Sequence, residues 1–205
     1  RLQNGDPITI FNGQGIEMET TINFISKKIA YLNGQECKQL PSAKTKIALG
    51  QAIPKGKNMD LIIEKATELG VTQIYPIISE RTIIRLNEKE SIKKQEKWQR
   101  VAIEACKQSG QNWLPKVNQP QKISSIIEST FKEFDLVLIA SLQEGAEHFK
   151  SILSKIGNTN LESVLIVIGP EGDLTPSETN KIIEAGAKPM TLGPITLRSE
   201  TAAIY

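Results

Sequence analysis

One guanidinium and two carboxylates stand among glycines and prolines near the end of this 205-residue chain. Gly169-Pro170-Glu171-Gly172 follows the apolar run Val164–Ile168. Gly193-Pro194-Ile195-Thr196-Leu197-Arg198-Ser199-Glu200-Thr201 follows Met190–Leu192. Arginine stays protonated, so Arg198 suits the stabilisation of developing negative charge and is a poor base. Glu171 and Glu200 are candidates to accept a proton or to orient Arg198; a carboxylate base works better with a raised pKa. A Gly-Pro pair after a strand is ordinarily only a turn. Two such loops, each with a glutamate and the second with an arginine, favour a site. The chain has no G-x-G-x-x-G opening a helix, no Walker pattern, no Ser-His-Asp set and no metal cluster. What is left suits a cofactor that carries its own reactivity, held by glycine loops that offer main-chain groups.

The elements that must position these loops alternate. Val164–Ile168 reads as a strand buried on both faces. Thr175 is the expected N-cap of the next helix, Pro176 its first residue and Glu178 the return half of a capping box. That helix is expected to reach about Ala185 and stop at Gly186. Upstream, a strand over Ile47–Ile53 runs into Pro54-Lys55-Gly56-Lys57, either an anion-binding helix start or a solvated turn. Asn58 is expected to cap a helix with Met59, Ile62, Ile63, Ala66 and Leu69 inward, ended by Gly70. The strand Val71–Ser79 leads to Glu80-Arg81-Thr82, and a long helix covers Lys89–Lys107 with Trp98, Val101, Ala102 and Ala105 inward. The strand Asp135–Ala140 leads to Ser141-Leu142-Gln143-Glu144, expected to open a helix bearing Phe149, Ile152, Leu153 and Ile156. His148, the lone histidine, falls inside that helix and reads as structural. Strands alternating with helices predict an α/β fold with a mainly parallel sheet, its loops sharing the carboxyl rim.

Residues 1–44 differ. Short strands over Ile8–Phe11, Met18–Phe24 and Lys27–Leu32 are punctuated by Asn12-Gly13 and Asn33-Gly34, which predicts a small β-barrel. Pro41-Ser42-Ala43-Lys44 reads as the linker to a second domain over 45–205.

Lys and Arg number 25 against 23 Asp and Glu, a balance that neither demands nor excludes nucleic acid. Cys37 and Cys106 have no metal or redox spacing and read as reduced thiols. No apolar run approaches a membrane span and no secretory signal is visible, so a cytoplasmic protein is expected.

The stretches IGPEGDLTPSE and LGPITLRSETAA closely resemble the signature of the RsmE family, SPOUT-class enzymes that methylate N3 of a uridine in 16S ribosomal RNA. Lys65-Ala66-Thr67-Glu68-Leu69-Gly70-Val71, Glu104-Ala105 and Gln108-Ser109-Gly110 extend the resemblance over nearly the whole chain. It implies a PUA-like RNA-binding β-barrel at 1–44 and a SPOUT domain at 45–205 with a C-terminal trefoil knot, working as a homodimer without membrane or metal. It implies a further strand before the first residue and a longer last helix. It implies S-adenosyl-L-methionine as cofactor, cradled by Leu142, Ile168, Gly169, Pro170, Gly172, Leu192, Gly193, Ile195, Leu197 and Thr201. The partner it implies is 16S rRNA or the small ribosomal subunit, met by the basic loop of Lys55 and Lys57; Arg81, by its place at a strand's carboxyl end, is a candidate either for RNA phosphate or for an ion pair with Glu80. Barrel lysines Lys27, Lys28 and Lys38 are further candidates for phosphate contact. Arg198 is then the electrostatic group, with Glu171 and Glu200 beside it. Trp113 either stacks on a base or packs internally. Gln111, Asp173, Ile195 and Thr196 depart from the family's usual residues. The departures at Gln111, Asp173 and Ile195 motivate a rival reading, an RNA-binding protein that keeps the fold without catalysis. A small-molecule-binding α/β domain with no RNA role is the third.

Overall fold

Turn chemistry shapes the N-terminal part of the computed structural model, which describes residues 2–82, 86–143, 145–157 and 160–205. Strand β1 (Pro7–Phe11) turns into β2 (Ile16–Ile25), and β2 into β3 (Ala30–Gln39), an antiparallel sheet in the order β1-β2-β3. The first turn is the expected Asn12-Gly13. Its Asn12 Oδ1 accepts hydrogen bonds from the amides of Gln14 (2.7 Å) and Ile16 (3.1 Å). Asn33-Gly34, expected to end the third strand, lies inside β3 instead. The turn comes earlier, where Ser26 N donates to Ile29 O at 2.8 Å. Gly34 is suited to the strand interior because the Met18 thioether occupies the space a Cβ would fill.

The rest of the chain alternates strand and helix. In order come β4 (Lys46–Ala52), α1 (Asn58–Glu68), β5 (Gln73–Ile78), α2 (Glu88–Ser109), β6 (Lys116–Val117), β7 (Gln121–Lys122) and α3 (Ile123–Ser129). Then come β8 (Leu136–Ala140), β9 (Glu147–His148), α4 (Phe149–Ile156), β10 (Ser163–Ile168), α5 (Pro176–Glu184), β11 (Lys188–Thr191) and α6 (Ser199–Ile204). The sheet order is β6-β5-β4-β10-β8-β11-β9, with β7 also beside β5, and the described pairings are parallel. A parallel sheet must be covered on both faces, and the alternation along β10 does this. Leu165 and Val167 face one apolar cluster with Ile182 of α5 and Ile126 of α3. Ile168 faces another with Met59, Ile62 and Ile63 of α1 and Trp98 of α2. Trp98 is 1% exposed, and its indole N–H donates to Asp60 (3.2 Å), joining α1 to α2.

The N-terminal sheet is fastened to this body at residues 112–114. Gly15 N donates to Asn112 O, and Leu114 N to Gly13 O, each at 3.0 Å. Trp113 takes the packing alternative: its ring fills the space beside Gly15, and its N–H donates to Pro41 O at 3.1 Å.

Several expectations need correction. Asn58 is the first residue of α1, not its cap, and no side chain caps that helix. Leu69 follows the last turn and is 65% exposed, because α1 ends at Glu68 and the inner face ends with it. His148 precedes α4 and caps it, Nδ1 accepting from Lys150 N at 3.3 Å. The helix therefore opens at Phe149, after the short β9; Glu144 lies outside the described residues. The α5 capping box is as expected, with Thr175 and Glu178 reciprocally bonded and Gly186 beyond the end at φ 102°. Among the described residues no helix is long and apolar enough to cross a membrane.

The two thiols differ sharply. Cys37 is exposed, whereas Cys106 is buried in α2 and burial pushes its thiol up to about 11. The thiolate is the reactive form. Native protein at pH 8 should therefore label at Cys37 and spare Cys106 until unfolded, as peptide mass mapping after iodoacetamide would read.

Candidate functional site

Three strand ends open on one cleft of about 300 Å³. Ala140 ends β8 and Ser141 and Leu142 follow it; Ile168 ends β10 and Gly169, Pro170, Glu171 and Asp173 follow it; Leu192, Gly193 and Ile195 through Arg198 follow β11, with Ser199 and Ala202 of α6 closing the wall. Of the residues expected at a cofactor, Leu142, Ile168, Gly169, Pro170, Leu192, Gly193, Ile195 and Leu197 line the cleft. Arg198 and Glu171 line it too. Gly172, Glu200 and Thr201 do not. Helical geometry explains the last two. Ser199 and Ala202 are three apart and share the cleft side of α6, so the residues between them turn away. Ser199, Ala202 and Ser141 had no sequence signal beyond proximity to the motifs.

Close packing shapes the first loop. A Cβ at Gly169 would stand 2.9 Å from Asp173 Oδ1 and 3.3 Å from Leu174 N. Asp173 takes a left-handed backbone, φ 60°, and its carboxylate accepts from Leu174 N at 2.8 Å. Glycine is most at ease there and aspartate among the more tolerant alternatives, which accounts for the departure at this position. Asp173 N donates to Pro170 O (2.9 Å) and closes the turn. In the second loop, Gly193 has φ 121°, a conformation side chains rarely adopt.

Loops distant in sequence are tied to this rim by main-chain hydrogen bonds. Glu171 Oε1 accepts from Lys55 N at 2.9 Å. Glu178, 2% exposed, accepts from Glu80 N (2.8 Å) and from Thr175 N (2.9 Å). The Arg81 guanidinium donates to Gly172 O rather than pairing with Glu80. Ser199 Oγ donates to Gly169 O at 2.6 Å, joining the two cleft loops. Lys55 and Arg81 thus stand on the rim of the cleft, and exposed Lys57 immediately precedes α1.

Arg198 is extended and exposed just before α6 (φ −65°, ψ 153°). Its guanidinium forms no ion pair or hydrogen bond among the described residues, so its charge is free for a ligand. Among the described residues no group of three or more His, Cys, Asp or Glu is placed to hold a metal ion.

Comparison with known proteins agrees with this geometry. A family model described as an RNA methyltransferase domain matches residues 41–205. Ribosomal RNA small subunit methyltransferase E of Bacillus subtilis is 31% identical, over 100% of this chain and 81% of that protein. A Legionella pneumophila methyltransferase solved with bound cofactor SAM is 30% identical with a TM-score of 0.88, over 99% of this chain and 81% of that one. Ribosomal RNA small subunit methyltransferase E of Neisseria gonorrhoeae, solved bound to S-adenosyl methionine, is 31% identical with a TM-score of 0.86, over 99% and 81%.

Overpacking costs roughly 1–3 kcal/mol. Gly169→Ala should therefore lower unfolding stability in urea by about that much, and a wild-type midpoint would contradict the packing described.

Proposed function

This chain belongs to the ribosomal RNA small subunit methyltransferase E family, and from that premise we propose that its cleft directs methyl transfer from S-adenosylmethionine to N3 of a uridine in 16S ribosomal RNA. The observation that carries the proposal is that Arg198 and Glu171 share one cleft with the glycine loops after β8, β10 and β11. The fit to the cofactor is good. Gly193 leaves the main chain approachable, with nothing within 4 Å of where a Cβ would stand, and Ile168, Leu192 and Leu197 offer apolar walls to an adenine. The cleft's volume of about 300 Å³ falls within the range of small-molecule sites, ~300–1,000 Å³. When bound, S-adenosylmethionine supplies an electrophilic methyl group on its sulfonium.

The protein's part is electrostatic and positional. Uridine N3 carries a proton at neutral pH, and the uracil gains negative charge as that proton leaves. Arg198 stabilises that charge. Glu171 lines the same cleft and Glu200 does not, which favours Glu171 as the group that receives or orients the proton. Lys55, Lys57 and Arg81 meet phosphates at the rim and fix the RNA's register. The rival without catalysis loses ground because the cleft stays open beside the departures at Asp173 and Ile195, and Arg198 has no ion-pair or hydrogen-bond partner among the described residues.

In this proposal residues 1–44 belong to a PUA-like RNA-binding barrel and 45–205 to a SPOUT domain. The path of the chain supports a trefoil knot: from β11, beyond β8, it returns to put α6 against α1 and β10. The enzyme works on rRNA or the small subunit in the cytoplasm. It works as a homodimer. An apolar groove beside α6 supports this, with Leu69 at 65%, Ile47 at 42% and Tyr205 at 77% exposure.

Arg198→Ala should lower methyl transfer by about 100-fold or more while leaving S-adenosylmethionine affinity within about threefold by calorimetry. Unchanged transfer would sink the assigned role. Leu69→Glu puts a charge into the proposed subunit contact, so sedimentation should show a dimer for the parent chain and a monomer for the variant. A variant that stays dimeric would remove this groove from the interface.

A further inference from the structure

We infer that Gln51 is a positioning residue for Arg198 and acts through Ser199; the inference rests on the methyltransferase reading above. Gln51 lies near the carboxyl end of β4, opposite Ile168 of β10 on one side and Pro76 of β5 on the other. It is 0% exposed. By strand alternation its side chain shares a face with Leu49 and Ile53, whose cluster includes Met59, Ile62 and Ile168. An apolar residue would be the ordinary occupant of such a place.

The amide is only half used by the fold. Gln51 Nε2 donates to Ala52 O at 2.7 Å and to Ser199 Oγ at 3.0 Å. Gln51 Oε1 is buried and accepts no hydrogen bond from any described residue. A buried acceptor left without a donor is costly, and an apolar side chain of the same shape avoids that cost. Stability alone therefore gives little reason for an amide here. Its distinctive contribution is the bond to Ser199.

Ser199 is the hub of a directional chain. Its hydroxyl proton goes to Gly169 O at 2.6 Å, which leaves its oxygen to accept from Gln51. The side chain is locked from both sides, and the residue is 5% exposed. Ser199 is also the first residue of α6, directly after Arg198. No side chain caps that helix, which spans only Ser199–Ile204. Two side-chain bonds, to β4 and to the loop after β10, instead anchor the first residue of α6. They set where the Arg198 backbone enters α6, and a long side chain amplifies any error at its root. Misplacement of a reacting group by about 1 Å can cost on the order of 100-fold in rate. Gln51 itself does not line the cleft.

The test is Gln51→Met, which keeps length and flexibility and removes the amide. Expected are a melting temperature equal to or above the parent's, kcat about tenfold lower, and KM for both substrates within about twofold. Amide hydrogen exchange in residues 198–203 should quicken. Ser199→Ala should match it, and the double variant should be no worse than the poorer single, since both break one chain. An unchanged kcat, a kcat loss that only tracks lost stability, or additive losses would overturn the inference. Exchange at 198–203 judges the tie without any turnover. A parent chain that binds S-adenosylmethionine but methylates no RNA would instead overturn the reading on which the inference rests.

Discussion

The parallel pairing of β10 with β4 on one side and β8 on the other is the constraint from which the site follows. Val164–Ile168 is apolar throughout, so it can lie only between covered faces, in the middle of a sheet. Parallel strands end together, and their loops must share one edge. That edge receives segments far apart in sequence: Pro54–Lys57 after β4, Ser141–Gln143 after β8 and Gly169–Asp173 after β10. β11, on the far side of β8, adds the Arg198 segment to the same edge. No residue of the site has to reach far, because the sheet has already done the gathering.

Some charges on this edge hold loop to loop, and Arg198 does not. Glu171 and Glu178 accept main-chain amides from the loops after β4 and β5, and Arg81 donates to a main-chain carbonyl of the loop after β10. Charge-assisted bonds to backbone fix loop against loop without demanding a particular neighbouring side chain. Arg198 has no such partner among the described residues. Fixed donors and acceptors around the Arg198 charge are what a preorganised electrostatic site requires, since its groups need not reorient as charge develops.

Much of this was legible because it is local. The β10–α5 junction is announced by Thr175, Pro176 and Glu178 within four positions, and the inner stripe of α2 by the spacing of Trp98, Ala102 and Ala105. The cleft loops were legible from glycine and proline placement after apolar runs. What escaped depends on contacts across the chain. Leu69 continues the apolar stripe of α1 in sequence, but the helix stops at Glu68 and leaves it outward. His148 reads as helical, yet two residues of strand intervene before α4. The short elements between 116 and 129 carry no strong period. Gln51 is a polar residue in an apolar strand, and nothing local announces that its partner is Ser199. Glu200 and Thr201 fall outside the cleft lining for a simpler reason: adjacency to Arg198 in sequence is not adjacency on a helix, where each step turns by about 100°.

The most direct test of the central claim is nucleoside mass spectrometry of small ribosomal subunits after incubation with this protein and isotopically labelled S-adenosylmethionine. The subunits should come from cells lacking the native modification. The account predicts label in 3-methyluridine at a single 16S position. Label on another atom or base, or none from a folded protein that binds the methyl donor, would contradict it.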